Sequence, residues 1–162
     1  FKASQAGDVV TIDDQTDSTA MVAVQGPAVI EMIGKFSSEI PTLKRYTFTT
    51  KNLLILKLIV SRTGYTGEDG VEVIMGASMA SMAIKLLLKD KAEAASIKPA
   101  GLGARDTLRM EAGMPLYGHE LDESTDPLAA GLDFAISFDK GVPAGEGPEI
   151  PRFIGQDALE AI

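Results

Sequence analysis

The chain has 162 residues, 15 of them lysine or arginine against 23 aspartates and glutamates, for a net charge of −8. That is the size of about one domain, large enough to bury about 68–70% of the surface its unfolded chain exposes. The acidic balance argues against a general nucleic-acid-binding face. The absence of cysteine excludes disulfides, thiolate metal sites and cysteine nucleophiles, and the single histidine, His119, excludes a multi-histidine metal site.

In chain order, Asp8 to Asp14 alternates apolar and polar residues through Val10 and Ile12 and is predicted as a half-buried strand. A polar turn follows, then a short strand at Met21 to Val24. Gly26-Pro27 punctuates the chain, with Pro27 suited to a first helical position. Val29, Met32, Ile33 and Phe36 fall at i, i+3, i+4, i+7, one face of a helix. Tyr46 to Thr50 leans towards β structure, and the apolar run Leu53 to Arg62 is expected as one mostly buried strand. Gly64 to Gly70 holds three glycines in seven residues and forms a turn or loop. In the strand Val71 to Met75, Val71 and Val73 share one face and Glu72 takes the other.

Met79, Met82, Ala83, Leu86 and Leu87 mark a helix over Ser78 to Lys89, its methionines read as core filler rather than a cofactor box. A third helix is expected from Gly101 to Ala112, with Ala104, Leu108 and Ala112 as its apolar side and Gly113 as its stop. Leu132 to Phe138 is predicted as a strand. Gly141 to Pro151, rich in glycine and proline, is a loop or linker, and a last helix starts near Ile154. Strands and helices mix without strict βαβ alternation, which points to an α+β fold with mixed or antiparallel sheets and packed helices. The first residue is Phe1, no signal-peptide pattern opens the chain, and no apolar run reaches the ~20 residues of a spanning helix. A soluble chain is expected, an excerpt of a longer one.

A carboxylate in an apolar strand, Glu72, has two readings. It is an ordinary solvated residue, or it holds two adjacent N–H donors of a ligand, such as those of a 2-amino-4-oxo pyrimidine ring. Arg105 and Arg109 stand four apart on one helix face, with Asp106 and Glu111 near in sequence but off that face. They are two arginines paired with acids elsewhere, or Arg105 holds an anion or carbonyl of a ligand. Tyr65 lies in the glycine-rich turn, where backbone can approach a ligand closely; it lines a site or caps the core edge. That turn lacks the GK[ST] ending of a phosphate loop. The acidic run Glu120, Asp122, Glu123, Asp126 lacks EF-hand spacing and reads as a solvated loop, so no metal site is expected. No nucleophile pairs with His119. The residues alone support a soluble α+β domain with a candidate ligand site around Tyr65, Glu72 and Arg105.

The stretch Ser61-Arg62-Thr63-Gly64-Tyr65-Thr66-Gly67-Glu68-Asp69-Gly70-Val71-Glu72 resembles a signature of aminomethyltransferases, the T proteins of the glycine cleavage system. Gly101 to Gly113, followed by Met114-Pro115-Leu116-Tyr117-Gly118, resembles a second. Val24-Gln25-Gly26-Pro27 and Phe153-Ile154-Gly155-Gln156-Asp157-Ala158-Leu159 are similar to two shorter family motifs. The four occur in the family's order and cover nearly the whole chain.

The resemblance implies a folate-binding T-protein-like α+β fold, incomplete here, with residues 1–140 in the folate-binding domain and 141–162 leading towards a C-terminal region. It implies transfer of a one-carbon unit from aminomethyl-lipoate on the H protein to tetrahydrofolate, releasing ammonia. By resemblance Glu72 holds the pterin N–H edge, Arg105 contacts the folate, Tyr65 lines the pocket and Tyr117 is a further candidate. Family members are longer. They carry an upstream aspartate near the folate nitrogens and a C-terminal β-barrel domain with a further arginine, which no residue here matches. No catalytic role is therefore assigned, and the isolated chain is expected to be inactive. The location implied is cytoplasmic in a bacterium and mitochondrial in a eukaryote, without nucleic-acid or membrane partners. The alternative is a folate-binding module of a non-transferase relative, or of a dimethylglycine- or sarcosine-oxidising enzyme.

Overall fold

The computed structural model describes residues 11–53, 56–88, 97–139 and 152–162. The chain divides into two compact units, residues 1–114 and 115–162.

The first unit is built on one antiparallel sheet, so the α+β expectation holds. Its strands are β1 (Thr19–Gln25), β2 (Phe48–Leu53), β3 (Leu56–Ser61) and β4 (Gly70–Gly76), in the order β1-β4-β3-β2. Val71, Val73 and Met75 of β4 project from one face, beside Val60 of β3. Helix α1 (Val29–Gly34) covers that face, and Val29, Met32 and Ile33 join Ile40, Val60 and Val71 in the buried core. The 3.6-residue stripe of α1 and the two-residue alternation of β4 thus meet as the sequence pattern requires. The other face carries the cross-strand row Ala23, Glu72, Ser61, Phe48, and beside it the row Met21, Ile74, Ile59, Thr50.

Several expected elements shift. The strand expected at Leu53 to Arg62 is β3, which starts later, at Leu56, while the β-leaning stretch Tyr46 to Thr50 enters β2, which runs on to Leu53 as the other arm of a hairpin. No glycine or proline marks the reversal at the head of this apolar run, so pattern alone starts the strand too early. Residues 11–15 hold no strand, and the earlier part of the expected Asp8–Asp14 strand lies outside the described residues. Pro27 precedes the first helical residue of α1 by two positions, and Phe36, beyond its end, is exposed. Helix α2 (Ala80–Leu87) starts after a 3-10 turn at Ala77–Met79 and has no fully buried residue. Met82 and Leu86 are exposed, so the stripe there is not a filled core. Helix α3 (Leu102–Glu111) ends before Gly113, which takes a left-handed φ of 70°.

Residues 62–69 join β3 to β4. The Arg62 guanidinium spans this loop's mouth as a two-pronged clamp, Nε to Asp69 Oδ1 at 3.1 Å and Nη2 to Oδ2 at 2.6 Å. Its Nη1 donates to the carbonyls of Pro41 at 3.1 Å and Leu43 at 2.7 Å. The loop also folds over the Gln25 side chain. Its Nε2 donates to the carbonyls of Thr63 at 3.1 Å and Val71 at 3.3 Å, and its Oε1 accepts from Thr66 Oγ1 at 3.3 Å. Only glycine fits beside it. A Cβ on Gly64 would lie 1.8 Å from Gln25 Oε1, and one on Gly70 would lie 2.4 Å from the Val24 carbonyl oxygen.

In the second unit the expected strand Leu132 to Phe138 is replaced by a 3-10 turn at Asp133–Ala135. Local bonds from Ala135 N to Leu132 O and from Ile136 N to Asp133 O, each 3.0 Å, satisfy the backbone there. Helix α4 (Gln156–Glu160) begins after Gly155, whose φ of 90° is not helical. The Gln156 side chain is buried, and its Nε2 donates to the Phe138 carbonyl at 3.2 Å and to Glu160 Oε1 at 2.9 Å. The segment Gly141 to Pro151 lies outside the described residues.

Two outcomes follow from the loop. Gly70→Ala pushes a methyl group into the backbone of β1, which cannot yield as a flexible side chain would. Chemical denaturation is expected to find it less stable by about 2–3 kcal/mol. The hydrogen bonds from Arg62 hold the Asp69 carboxyl below the ordinary carboxylate range. A depressed carboxyl stabilises the fold fully above the unfolded-state value of about 3.9 and loses that contribution as pH falls through the folded value. Melting curves of Asp69→Asn should therefore show a lower midpoint at neutral pH. The gap to the parent should narrow in acid.

Candidate functional site

Glu72 sits in β4, a central strand, and its side chain is half-buried. Its cross-strand neighbours, Ala23 and Ser61, are small. Thr63 Oγ1, from the first residues of the loop, donates to Glu72 Oε2 at 2.5 Å. Ser61 Oγ lies 2.8 Å from Thr63 Oγ1 and 3.3 Å from the Glu72 carbonyl oxygen. A carboxylate offers about four acceptor positions, and Thr63 is the only described residue whose hydrogen bond to it is resolved. Glu72 is thus a half-buried carboxylate held on one side by a hydroxyl of the adjoining loop.

Tyr65 and Arg105 come together. The Arg105 guanidinium carbon lies 5.4 Å from the centroid of the Tyr65 ring, a cation–π contact between the loop and α3 worth about 0.5–1 kcal/mol at such half-exposed positions. The ring contact engages the charge rather than a hydrogen-bond acceptor, and the guanidinium carries five N–H donors. Tyr117 belongs to the second unit, where it is exposed and bridges Leu121.

The two arginines of α3 divide. Arg109 is only 2% exposed. Its Nε reaches Asp106 Oδ1 at 2.8 Å, its Nη2 the same oxygen at 2.7 Å, and its Nη1 the Met114 carbonyl at 3.2 Å. The expectation that Asp106 is off the arginine face is thereby corrected, since residues three apart are neighbours on a helix. The expected apolar side is corrected as well. Ala104, Leu108 and Ala112 are exposed, and the buried position is the paired arginine.

A shallow cleft of about 20 Å³, room for roughly one water, opens beside the clamp between Arg45, Tyr46, Arg62, Thr63 and Asp69. Glu72, Tyr65 and Arg105 do not line it. Among the described residues no three acidic or histidine side chains are grouped as a metal site. In the acidic run, Asp122 Oδ1 accepts from Ser124 N and Oγ and from Thr125 Oγ1, a self-contained loop cap.

Sequence patterns do not single out Gln25, Ser61 or Thr63 as functional supports. The signal available is the alternation Ser61-x-Thr63 at the end of β3, which sets two hydroxyls near a strand that pairs with Glu72.

The same stretches recur in known proteins. The family model described as "GCVT N-terminal domain" matches residues 1–140. The aminomethyltransferase of Oceanobacillus iheyensis is 41% identical over 98% of this chain and 41% of its own length. That of Caldanaerobacter subterraneus is 44% identical over 93% of this chain and 38% of its own. The chain thus spans about two-fifths of the curated relatives it matches. The crystal structure of the glycine cleavage system aminomethyltransferase T from Bartonella henselae superposes with a TM-score of 0.71 at 26% identity, covering 88% of this chain and 36% of that one. The signatures that build the Glu72 and Arg105 positions are therefore set in a matching sequence and a matching fold, and the chain belongs to the GCVT N-terminal domain family.

Proposed function

We propose that this chain is the folate-contacting segment of an aminomethyltransferase of the glycine cleavage system. The observation that carries the reading is the half-buried Glu72 carboxylate, wired to Thr63 on a central strand and still open to an N–H pair. Its chemistry suits the 2-amino-4-oxo edge of tetrahydrofolate, which presents two adjacent donors to two carboxylate oxygens. Arg105, in cation–π contact with Tyr65, supplies N–H donors for an acceptor or anionic group of the same ligand. Tyr65 contributes a rigid apolar face beside it.

When bound, tetrahydrofolate is the acceptor of the one-carbon unit. The donor is the aminomethyl group on the lipoyl arm of the H protein, and ammonia is released. This chain's own residues bind and orient the acceptor. The aspartate and the further arginine implied for longer family members would come from chain outside these 162 residues, so the complete polypeptide is the catalytic unit.

The test is titration of tetrahydrofolate into the complete polypeptide. Glu72→Ala removes charge-assisted bonds worth about 1.5–3 kcal/mol, so the dissociation constant should rise roughly 10- to 100-fold. Arg105→Ala, at a position held by a cation–π contact, should raise it about 3- to 10-fold. Unchanged affinity in both variants overturns the site. Ammonia release dependent on lipoylated H protein separates the transferase from a folate-binding module, which binds the ligand but releases none.

A further inference from the structure

We propose that Thr63 is a positioning residue for the Glu72 carboxylate, with Ser61 as its support, and that the two hydroxyls form an ordered chain that sets how Glu72 faces an N–H pair. The inference rests on the folate-holding role of Glu72 given above.

Packing alone does not lock that carboxylate. Its neighbours across both adjacent strands, Ala23 and Ser61, are small, and the terminal torsion of a glutamate is broad. The hydrogen bond from Thr63 Oγ1 to Glu72 Oε2, at 2.5 Å, lies in the short range of O–H···O⁻ bonds. An ionised carboxylate only accepts, so the Thr63 proton points to Glu72. With that proton committed, Ser61 is the donor in its 2.8 Å contact with Thr63 Oγ1, the nearer of the two acceptors its single proton faces, the other being the Glu72 carbonyl oxygen at 3.3 Å. The chain therefore runs in one direction, Ser61 to Thr63 to Glu72, and each bond polarises the next.

Thr63 is itself held. Its side chain is β-branched and stiff at χ1, and its carbonyl accepts from Gln25 Nε2 at 3.1 Å. A donor fixed to β1 thus fills one lone pair of Oε2 and leaves the rest presented in a defined plane. The orientation that a ligand would otherwise have to impose is set in advance.

The experiment uses the complete polypeptide and two probes, tetrahydrofolate and its analogue lacking the 2-amino group. Thr63→Val keeps the shape and removes the donor. It is expected to weaken tetrahydrofolate about tenfold and the analogue much less, so discrimination between the two falls. Thr63→Ser should restore most of both, and Ser61→Ala should weaken tetrahydrofolate about two- to threefold in the same selective manner. In a Glu72→Ala background, Thr63→Val should add nothing. An equal loss for both probes, or no loss while Glu72→Ala still weakens tetrahydrofolate, overturns the positioning role and leaves the folate site standing. No effect of Glu72→Ala overturns the folate site itself. Should Thr63→Val fail to fold, the Ser61→Ala and Thr63→Ser pair reads the same selectivity.

Discussion

The Gln25 side chain is the peg around which the loop between β3 and β4 is folded. It leaves the last residue of β1 and enters a space that two glycines keep open, Gly64 and Gly70. Its amide nitrogen ties Thr63 and Val71, on either side of the loop, and its oxygen takes the Thr66 hydroxyl. A primary amide can do this because it donates and accepts at one end; glutamate could not donate, and a leucine would strand several polar groups. The Arg62–Asp69 clamp then closes the same loop from outside. The ends of β3 and β4 are thereby held in the register that sets Ser61 opposite Glu72. Thr63 and Glu72 are close because Gln25 and Arg62 make the loop short and stiff.

Much of the first unit is legible in the sequence because its signals are local periodicities. The α1 stripe, the alternation of β4 and the glycine-rich loop each occupy about the predicted residues. The failures share a cause. Where a chain reversal carries no glycine or proline, as between β2 and β3, the start of the second strand is placed too early. Where the buried position of a helix is a paired arginine, as in α3, counting apolar residues finds the wrong face. At Leu132 to Phe138 the 3-10 turn satisfies its backbone through i, i+3 bonds, and composition does not separate that from extension.

The candidate site divides along the same line. Residue identity marks Tyr65, Glu72 and Arg105, and the structure pairs two of them directly. Identity does not separate Arg105 from Arg109, because both are arginines on one helix four residues apart. Their partners separate them. Arg109 is buried and must be neutralised, since an unpaired charge there would cost several kcal/mol, and Asp106 with the Met114 carbonyl meets that demand. Arg105 lies against an aromatic face instead, and among the described residues no such pairing consumes its donors. One arginine secures the helix end, and the other is left with donors to offer.

A charged residue at the centre of a sheet is a poor choice for stability. A strand flanked on both sides favours β-branched or aromatic residues, and β4 uses them at Val71, Val73 and Ile74. Glu72 interrupts this pattern. Its row places alanine and serine beside it, where larger side chains would gain more by packing. The next row on the same face carries Met21, Ile74 and Ile59, apolar rather than polar. A carboxylate kept among small and apolar neighbours, partly covered and oriented by a hydroxyl from a pinned loop, is arranged for directed contact more than for solvation. Small residues, a supporting hydroxyl and a pinned loop therefore converge on this one position, and together they fix a carboxylate that packing alone would leave loose.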